Sequence, residues 1–218
     1  MGKRWQSYEE ILLQGDWHIH SDYVDGTCSI PEILLTAEKN HLKIVAIIEH
    51  IQLNPTYSFI ELLNMVKSIA PSYNVIVLVG CEAKILNNQG NLNIPQQLIN
   101  IAELITFVFH SFPKISKKEY LTLINKVINK NEVDIWGHPT LYLKKRKLSL
   151  TIKEMDSLIN QFNNKNILFE FNSRYKLPSE TFINLIIKRG HYVYGSDAHS
   201  CSEILSLNKI QMLFPHKH

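Results

Sequence analysis

Ile44-Val45-Ala46-Ile47-Ile48-Glu49-His50 runs five apolar residues, four of them β-branched, straight into a carboxylate and an imidazole. A short, wholly apolar run of this kind fits a strand buried on both faces, as in parallel sheets. The layout recurs along the chain. Glu82 follows Val75-Ile76-Val77-Leu78-Val79, His110 follows Ile105-Thr106-Phe107-Val108-Phe109, and His138 follows Val133-Asp134-Ile135-Trp136-Gly137. Asp16-Trp17-His18-Ile19-His20, with Asp25 beyond it, opens the series, and Asp197-Ala198-His199 closes it. Residues two apart on a strand point to the same side, so His18 and His20 converge. In a closed parallel sheet the C-terminal strand ends would deliver all these side chains to one face, where barrel enzymes keep their chemistry.

Seven apolar runs alternate with longer segments of helical period, the pattern of repeated β-α units. Ser29-Ile30-Pro31-Glu32 reads as a helix start, with an N-cap, a proline in the first turn and an acid at the third position. Pro55 to Ile69, Ser116 to Asn129, Thr151 to Phe162 and Ser179 to Lys188 supply further helices. The last two precede the runs Ile167-Leu168-Phe169-Glu170-Phe171 and Tyr192-Val193-Tyr194. The expectation is one α/β domain over residues 1–218, a barrel of about seven strands. An open doubly wound sheet fits less well, because ligand-type residues follow nearly every run instead of gathering at one switch point.

The 218 residues suffice for a real core, and a composition of 45% hydrophobic and 20% charged residues is that of a soluble globular protein. No apolar stretch approaches the ~20 residues that span a bilayer, and the N-terminus lacks the apolar region of a secretion signal. The three cysteines, Cys28, Cys81 and Cys201, are widely spaced and odd in number. That argues against a disulfide framework and suits a reducing, cytoplasmic setting. A net charge of +3 is too small and dispersed for a nucleic-acid partner but compatible with anionic substrates. The oligomeric state is not legible.

Asp16-Trp17-His18-Ile19-His20, Asp25-Gly26, Glu49-His50, Gly80-Cys81-Glu82, His110-Ser111, Gly137-His138-Pro139 and Gly195-Ser196-Asp197-Ala198-His199-Ser200 together resemble the PHP family, named for polymerases and histidinol phosphatases. The resemblance covers almost the whole chain and is closer to small single-domain hydrolases than to polymerase-attached domains. It implies a distorted TIM-like (β/α)7 barrel, two or three divalent ions (zinc, manganese or iron) and, most often, phosphoester hydrolysis. Carried over, His18 and His20 would bind one metal with Asp197 and Glu82, whose carboxylate bridges to a second metal held by His110 and His138. Asp25, His50 and His199 would take a third. Two positions depart from the family pattern: Glu49 stands where Asp commonly precedes the histidine, its role there being support of His50, and Val24 stands where many members carry a small hydroxyl residue.

The chemistry this implies is hydrolysis of a small phosphomonoester by a metal-activated hydroxide, with Glu82 and Asp197 in the metal site and His199 or Asp197 as candidate proton donor. Arg174, after the run ending at Phe171, is the candidate phosphate clamp, with Lys84 second to it. Exonuclease-like action on phosphodiesters and hydrolysis of a non-phosphate substrate at the same site are the alternatives, together with a scaffold that has lost catalysis. His41, His191, His216 and His218 end no apolar run and read as structural. Glu170 reads as a satisfied strand carboxylate, Asp16 as an orienting partner of His18, and Lys144-Lys145-Arg146-Lys147 as a solvated loop.

Overall fold

The computed structural model describes residues 2–109 and 111–213. Within them seven strands alternate with helices: β1 (Gly15–Ile19), β2 (Ile44–Ile51), β3 (Ile76–Lys84), β4 (Leu104–Val108), β5 (Ile135–Trp136), β6 (Leu168–Asn172) and β7 (Tyr192–Gly195). The helices are α1 (Ile30–Lys39), α2 (Phe59–Ile69), α3 (Lys117–Lys130), α4 (Leu141–Lys145), α5 (Ile152–Asn163), α6 (Glu180–Arg189) and α7 (Leu207–Leu213). Each strand pairs in parallel with the next in sequence order. Beyond β7 the chain meets β1 again: Ile19 bridges Ala198, and the His20 N–H donates to the Ala198 carbonyl at 2.8 Å. The sheet is therefore a nearly closed, distorted TIM-like (β/α)7 barrel, with no reversal of strand order.

Alternation along the strands sorts side chains between two cores. Ile44, Ala46 and Ile48 of β2 pack inside the barrel with Leu78, Leu104, Ile135, Leu168, Val193 and Trp17. Trp5, from a 3-10 helix over Arg4–Ile11 that has no apolar period to announce it, joins this interior cluster. The alternate residues, among them Val45, Ile47, Val77, Val79, Phe107, Trp136 and Phe169, face the helical layer. The same parity continues upward. The inner columns end in His50 above Ile48, in Glu82 and Lys84 above Leu78, in Glu170 and Asn172 above Leu168, and in Asp197 above Val193. Apolar filling below thus gives way to polar side chains at the C-terminal mouth.

The helix starts follow their caps. Glu32 accepts from the Ser29 N–H at 2.8 Å, and the same capping box opens α3 at Ser116 and Glu119 and α5 at Thr151 and Glu154. The second helix begins at Phe59, later than the Pro55 expected, because Ser58 is its N-cap and accepts from the Glu61 N–H. The run from Val133 to Gly137 yields only the two residues of β5. There the Asp134 carboxylate takes the Ile105 N–H at 2.8 Å, and the chain turns left-handed at His138, φ 29°. Lys144 and Lys145, expected in a loop, end the short helix α4 and are exposed.

Candidate metal centre

Glu82 stands at the middle of the barrel mouth. Its Oε2 lies 3.2 Å from His18 Nε2, 3.5 Å from His20 Nε2 and 3.3 Å from His50 Nδ1, while Oε1 lies 3.7 Å from His138 Nε2. Asp197 Oδ1 is 3.3 Å from His20 Nε2 and 4.0 Å from His18 Nε2. Toward solvent, Asp25 Oδ2 is 3.2 Å from His50 Nε2 and 3.6 Å from His199 Nε2. Two groups result, each able to offer four ligand atoms within 4.8 Å of one another. One is the buried set His18, His20, Glu82 and Asp197; the other is the more open set His20, Asp25, His50 and His199. His20 belongs to both. His138 adjoins the first through Glu82, and His110 lies outside the described residues, as do His216 and His218.

These residues suit a divalent ion on their own chemistry. His20 is buried, yet neither ring nitrogen has a hydrogen-bond partner. Such a group costs free energy unless something satisfies it, and a cation held by imidazole and carboxylate does so. Burial, with the charges of His18 and His50, depresses its pKa to about 4, so the ring is in the neutral form a ligand needs. Burial alone would raise Asp197, but the His20 ring 3.3 Å away and the charges of His18 and His138 bring it down to about 2, keeping it anionic. Burial opposes protonation of His18, and Glu170, Glu82 and Asp197 outweigh it, lifting His18 well above its ordinary range. At His50, burial and Lys84 favour the neutral ring over the pull of Glu82 and Asp25.

A second layer of contacts fixes these ligands. Glu170 does more than satisfy its own strand: Oε1 lies 2.8 Å from His18 Nδ1 and accepts from Asn172 Nδ2, and Oε2 accepts from the His138 backbone N–H. Its place exists because residue 195 is glycine, since a Cβ there would collide with the Glu170 carboxylate. Asp16 acts on backbone, not on the His18 ring, by accepting from the N–H groups of Ser196 at 2.8 Å, Leu205 at 3.0 Å and His18 at 3.3 Å. Glu49 does not support His50. One oxygen accepts from the Ser21 N–H at 2.9 Å and from the Ser21 hydroxyl, just beyond β1, and the other lies 4.0 Å from His20 Nδ1. Asp197 itself, at φ 54°, holds the left-handed conformation that a short polar side chain tolerates best.

Arg174 is placed beside the Asp197-Ala198-His199 segment. Its Nη1 donates to the Asp197 carbonyl at 2.7 Å, approaches His199 Nδ1 at 3.2 Å and pairs with Glu203 at 3.5 Å. Tyr175, which the sequence reading missed, stands edge-on to His138 with ring centroids 5.4 Å apart. Its position directly after Arg174 was the available signal. His41 and His191 are exposed and remote from the centre, and Cys81 faces the outer core.

One expectation is overturned. Cys28 and Cys201 form a disulfide, Cα to Cα 5.9 Å, although 173 residues separate them. Closure of the barrel between β1 and β7 brings together the loops that follow them, and no local spacing reveals that. Through the same loops Thr27 donates N–H and hydroxyl to the His199 carbonyl, tying the segment of Asp25 to that of His199.

Fold and site together define a parallel α/β barrel whose imidazole and carboxylate donors gather at the strand ends in two clusters that could hold divalent ions. The chain belongs to the PHP domain family, whose model matches residues 16–174. A protein described as a probable phosphatase from Clostridium novyi is 29% identical over 151 residues, 64% of this chain and 59% of its own length. The chain thus spans about three fifths of that relative. A second protein so described, from Aliivibrio fischeri, is 28% identical over 220 residues, covering 93% of this chain and 84% of itself. Histidinol phosphate phosphatase from Lactococcus lactis, in a crystal structure with zinc, L-histidinol and phosphate, shares the fold at TM-score 0.69 and 16% identity, with 92% of each chain covered.

Proposed function

We propose that this protein is a metal-dependent phosphoesterase that releases phosphate from a small phosphomonoester. The observation that carries this reading is the pair of four-donor groups joined at His20, with Glu82 between His18, His50 and His138. His18, His20, Glu82 and Asp197 would hold one divalent ion and Asp25, His50 and His199 a neighbouring one, with His138 and Glu82 contributing to another together with His110. Zinc, manganese and iron(II) all accept this donor set. Bound ions of this kind supply Lewis acidity toward a phosphoryl oxygen and a lowered pKa for water.

The chain's own residues do the rest. Glu170 holds the His18 ring so that Nε2 faces the site. Arg174, its Nη1 anchored on the Asp197 carbonyl, has its remaining guanidinium N–H groups for phosphate oxygens. His199 holds Nδ1 3.0 Å from the Asp197 carbonyl, which leaves Nε2 toward Asp25 as the atom it would offer to the ion. The described helices include none long and apolar enough to cross a membrane. The test is phosphate release from a panel of phosphomonoesters by protein stripped of metal and then reloaded with zinc, manganese or iron(II). Release that depends on metal supports the reading; no release from any ester, with metal content verified, refutes it.

A further inference from the structure

Beside the metal centre lies a cavity of about 210 Å³ that the ligand set does not use. His50 forms one wall, so the cavity opens onto the centre, and Val24, Gln52, Tyr57, Lys84 and Asn93 form much of the remainder. Lys84 reaches it because it is the last residue of β3, two beyond Glu82 and hence on the same strand face. Among the described residues no carboxylate lies within ion-pair distance of the Lys84 ammonium, and no acidic residue lines the cavity. The neighbouring polar groups also present donors. The Asn93 carbonyl oxygen is occupied by the Leu53 N–H at 2.9 Å, which leaves its NH₂ for a ligand. Tyr57 donates its hydroxyl proton to the His50 carbonyl and lines the wall with its ring. Val24 adds an apolar flank.

An ester whose phosphoryl group sits at the ions would place its alcohol portion here. A cation with no carboxylate partner among the described residues, a lining amide whose oxygen is already occupied and no acid in the walls form a receptor for negative charge. The volume admits a few carbons with one charged group, not a polymer. The geometry points to Lys84 as a specificity-determining residue that binds a second anionic group, carboxylate or phosphate, on the leaving alcohol of the substrate. This assignment rests on the phosphoesterase reading. It distinguishes the substrate from a cationic amino-alcohol ester, which the same wall would repel.

The test uses four two-carbon esters that differ at one end: ethyl phosphate, phosphoglycolate, ethanediol bisphosphate and phosphoethanolamine. With metal-loaded protein, kcat/KM is expected to be about tenfold higher for the two anionic esters than for ethyl phosphate, the size of one charge-assisted contact, and lowest for phosphoethanolamine. The better of the two anionic esters identifies the group bound. Lys84→Met should bring the anionic-to-neutral ratio close to one, Lys84→Arg should keep it, and Lys84→Glu should favour phosphoethanolamine. A wild-type ratio near one overturns the assignment, as does a Lys84→Met variant that slows all four esters equally, the mark of contact with the transferred phosphoryl group. A separate readout uses metal-depleted protein carrying 13C-methylated lysines. The resonance absent from Lys84→Met should shift with glycolate and not with ethanol, and its failure to move overturns the assignment. If no ester is hydrolysed while this resonance responds, the phosphoesterase reading fails and the anion site stands.

Discussion

Replacing Glu170 by glutamine keeps the shape of the side chain and removes its charge, which isolates what the carboxylate does for the metal centre. In the native barrel one oxygen faces His18 Nδ1 at 2.8 Å and Asn172 Nδ2 at 3.1 Å, and the other accepts the His138 backbone N–H. A carboxamide has one acceptor and one donor end, so it cannot serve both sides. With its oxygen toward His18, the NH₂ meets the His138 N–H and leaves a buried donor unsatisfied, at a cost of about 1–3 kcal/mol. With its NH₂ toward His18, the ring must take the tautomer that carries its proton on Nε2, the nitrogen 3.2 Å from Glu82, and that nitrogen no longer binds metal. Losing the charge-assisted contact adds about 1.5–3 kcal/mol. The sum is roughly 2.5–6 kcal/mol of stability, and metal affinity should fall about 10–100-fold, as when a partner of a ligating histidine is removed. Chelator competition for zinc and manganese, with urea unfolding of the metal-free protein, measures both quantities. A Glu170→Gln protein within twofold of wild-type affinity and within 1 kcal/mol of its stability would refute the argument.

Gly195→Ala drives a methyl into the same carboxylate and should lower stability by about 1–3 kcal/mol; denaturant midpoints check it, and an unchanged midpoint contradicts the packing described. Stripping metal from protein loaded at 100 Kd removes about 2.7 kcal/mol, expected as a fall in Tm of about 5–10 °C that reloading restores; a Tm indifferent to chelator contradicts metal binding to the folded site. Glu49, raised by burial to about 7 from 4.5, holds in the folded state a proton that the unfolded chain releases between those values. Stability of the metal-free protein should therefore fall as pH rises from about 4.5 to 7, by up to about 3 kcal/mol, and Glu49→Gln should flatten that slope in urea titrations at pH 5 and 7.5. Thiol titration of denatured, unreduced protein should find one thiol, Cys81, and reduction should raise the count to three; three from the outset contradicts the Cys28–Cys201 bond.

Much of this protein is legible in one dimension because its signals are local. Apolar runs such as Ile44 to Ile48 bury on both faces and become strands, and Ser29 with Glu32 caps a helix from three residues away. The period of two on a strand puts His18 beside His20, ring centroids 5.0 Å apart, and Glu82 on the face opposite Cys81. Local pattern misleads where a partner comes from elsewhere. Glu49 looks like a companion of its neighbour His50 and instead serves Ser21, which lies on the adjacent strand end.

By itself, then, the sequence determined the kinds of element, their order and the donors at the strand ends, since each follows from composition and period within a few residues. Tertiary structure alone decided which donors meet. Closure of β7 onto β1 through Ile19 and Ala198 sets Asp197 and His199 against His20, joins Cys28 to Cys201 across 173 residues and turns Arg174 onto the Asp197 carbonyl. The physical reason is that a barrel's circumference closes through contacts between the two ends of the chain, and a period measured along the chain carries no information about that distance.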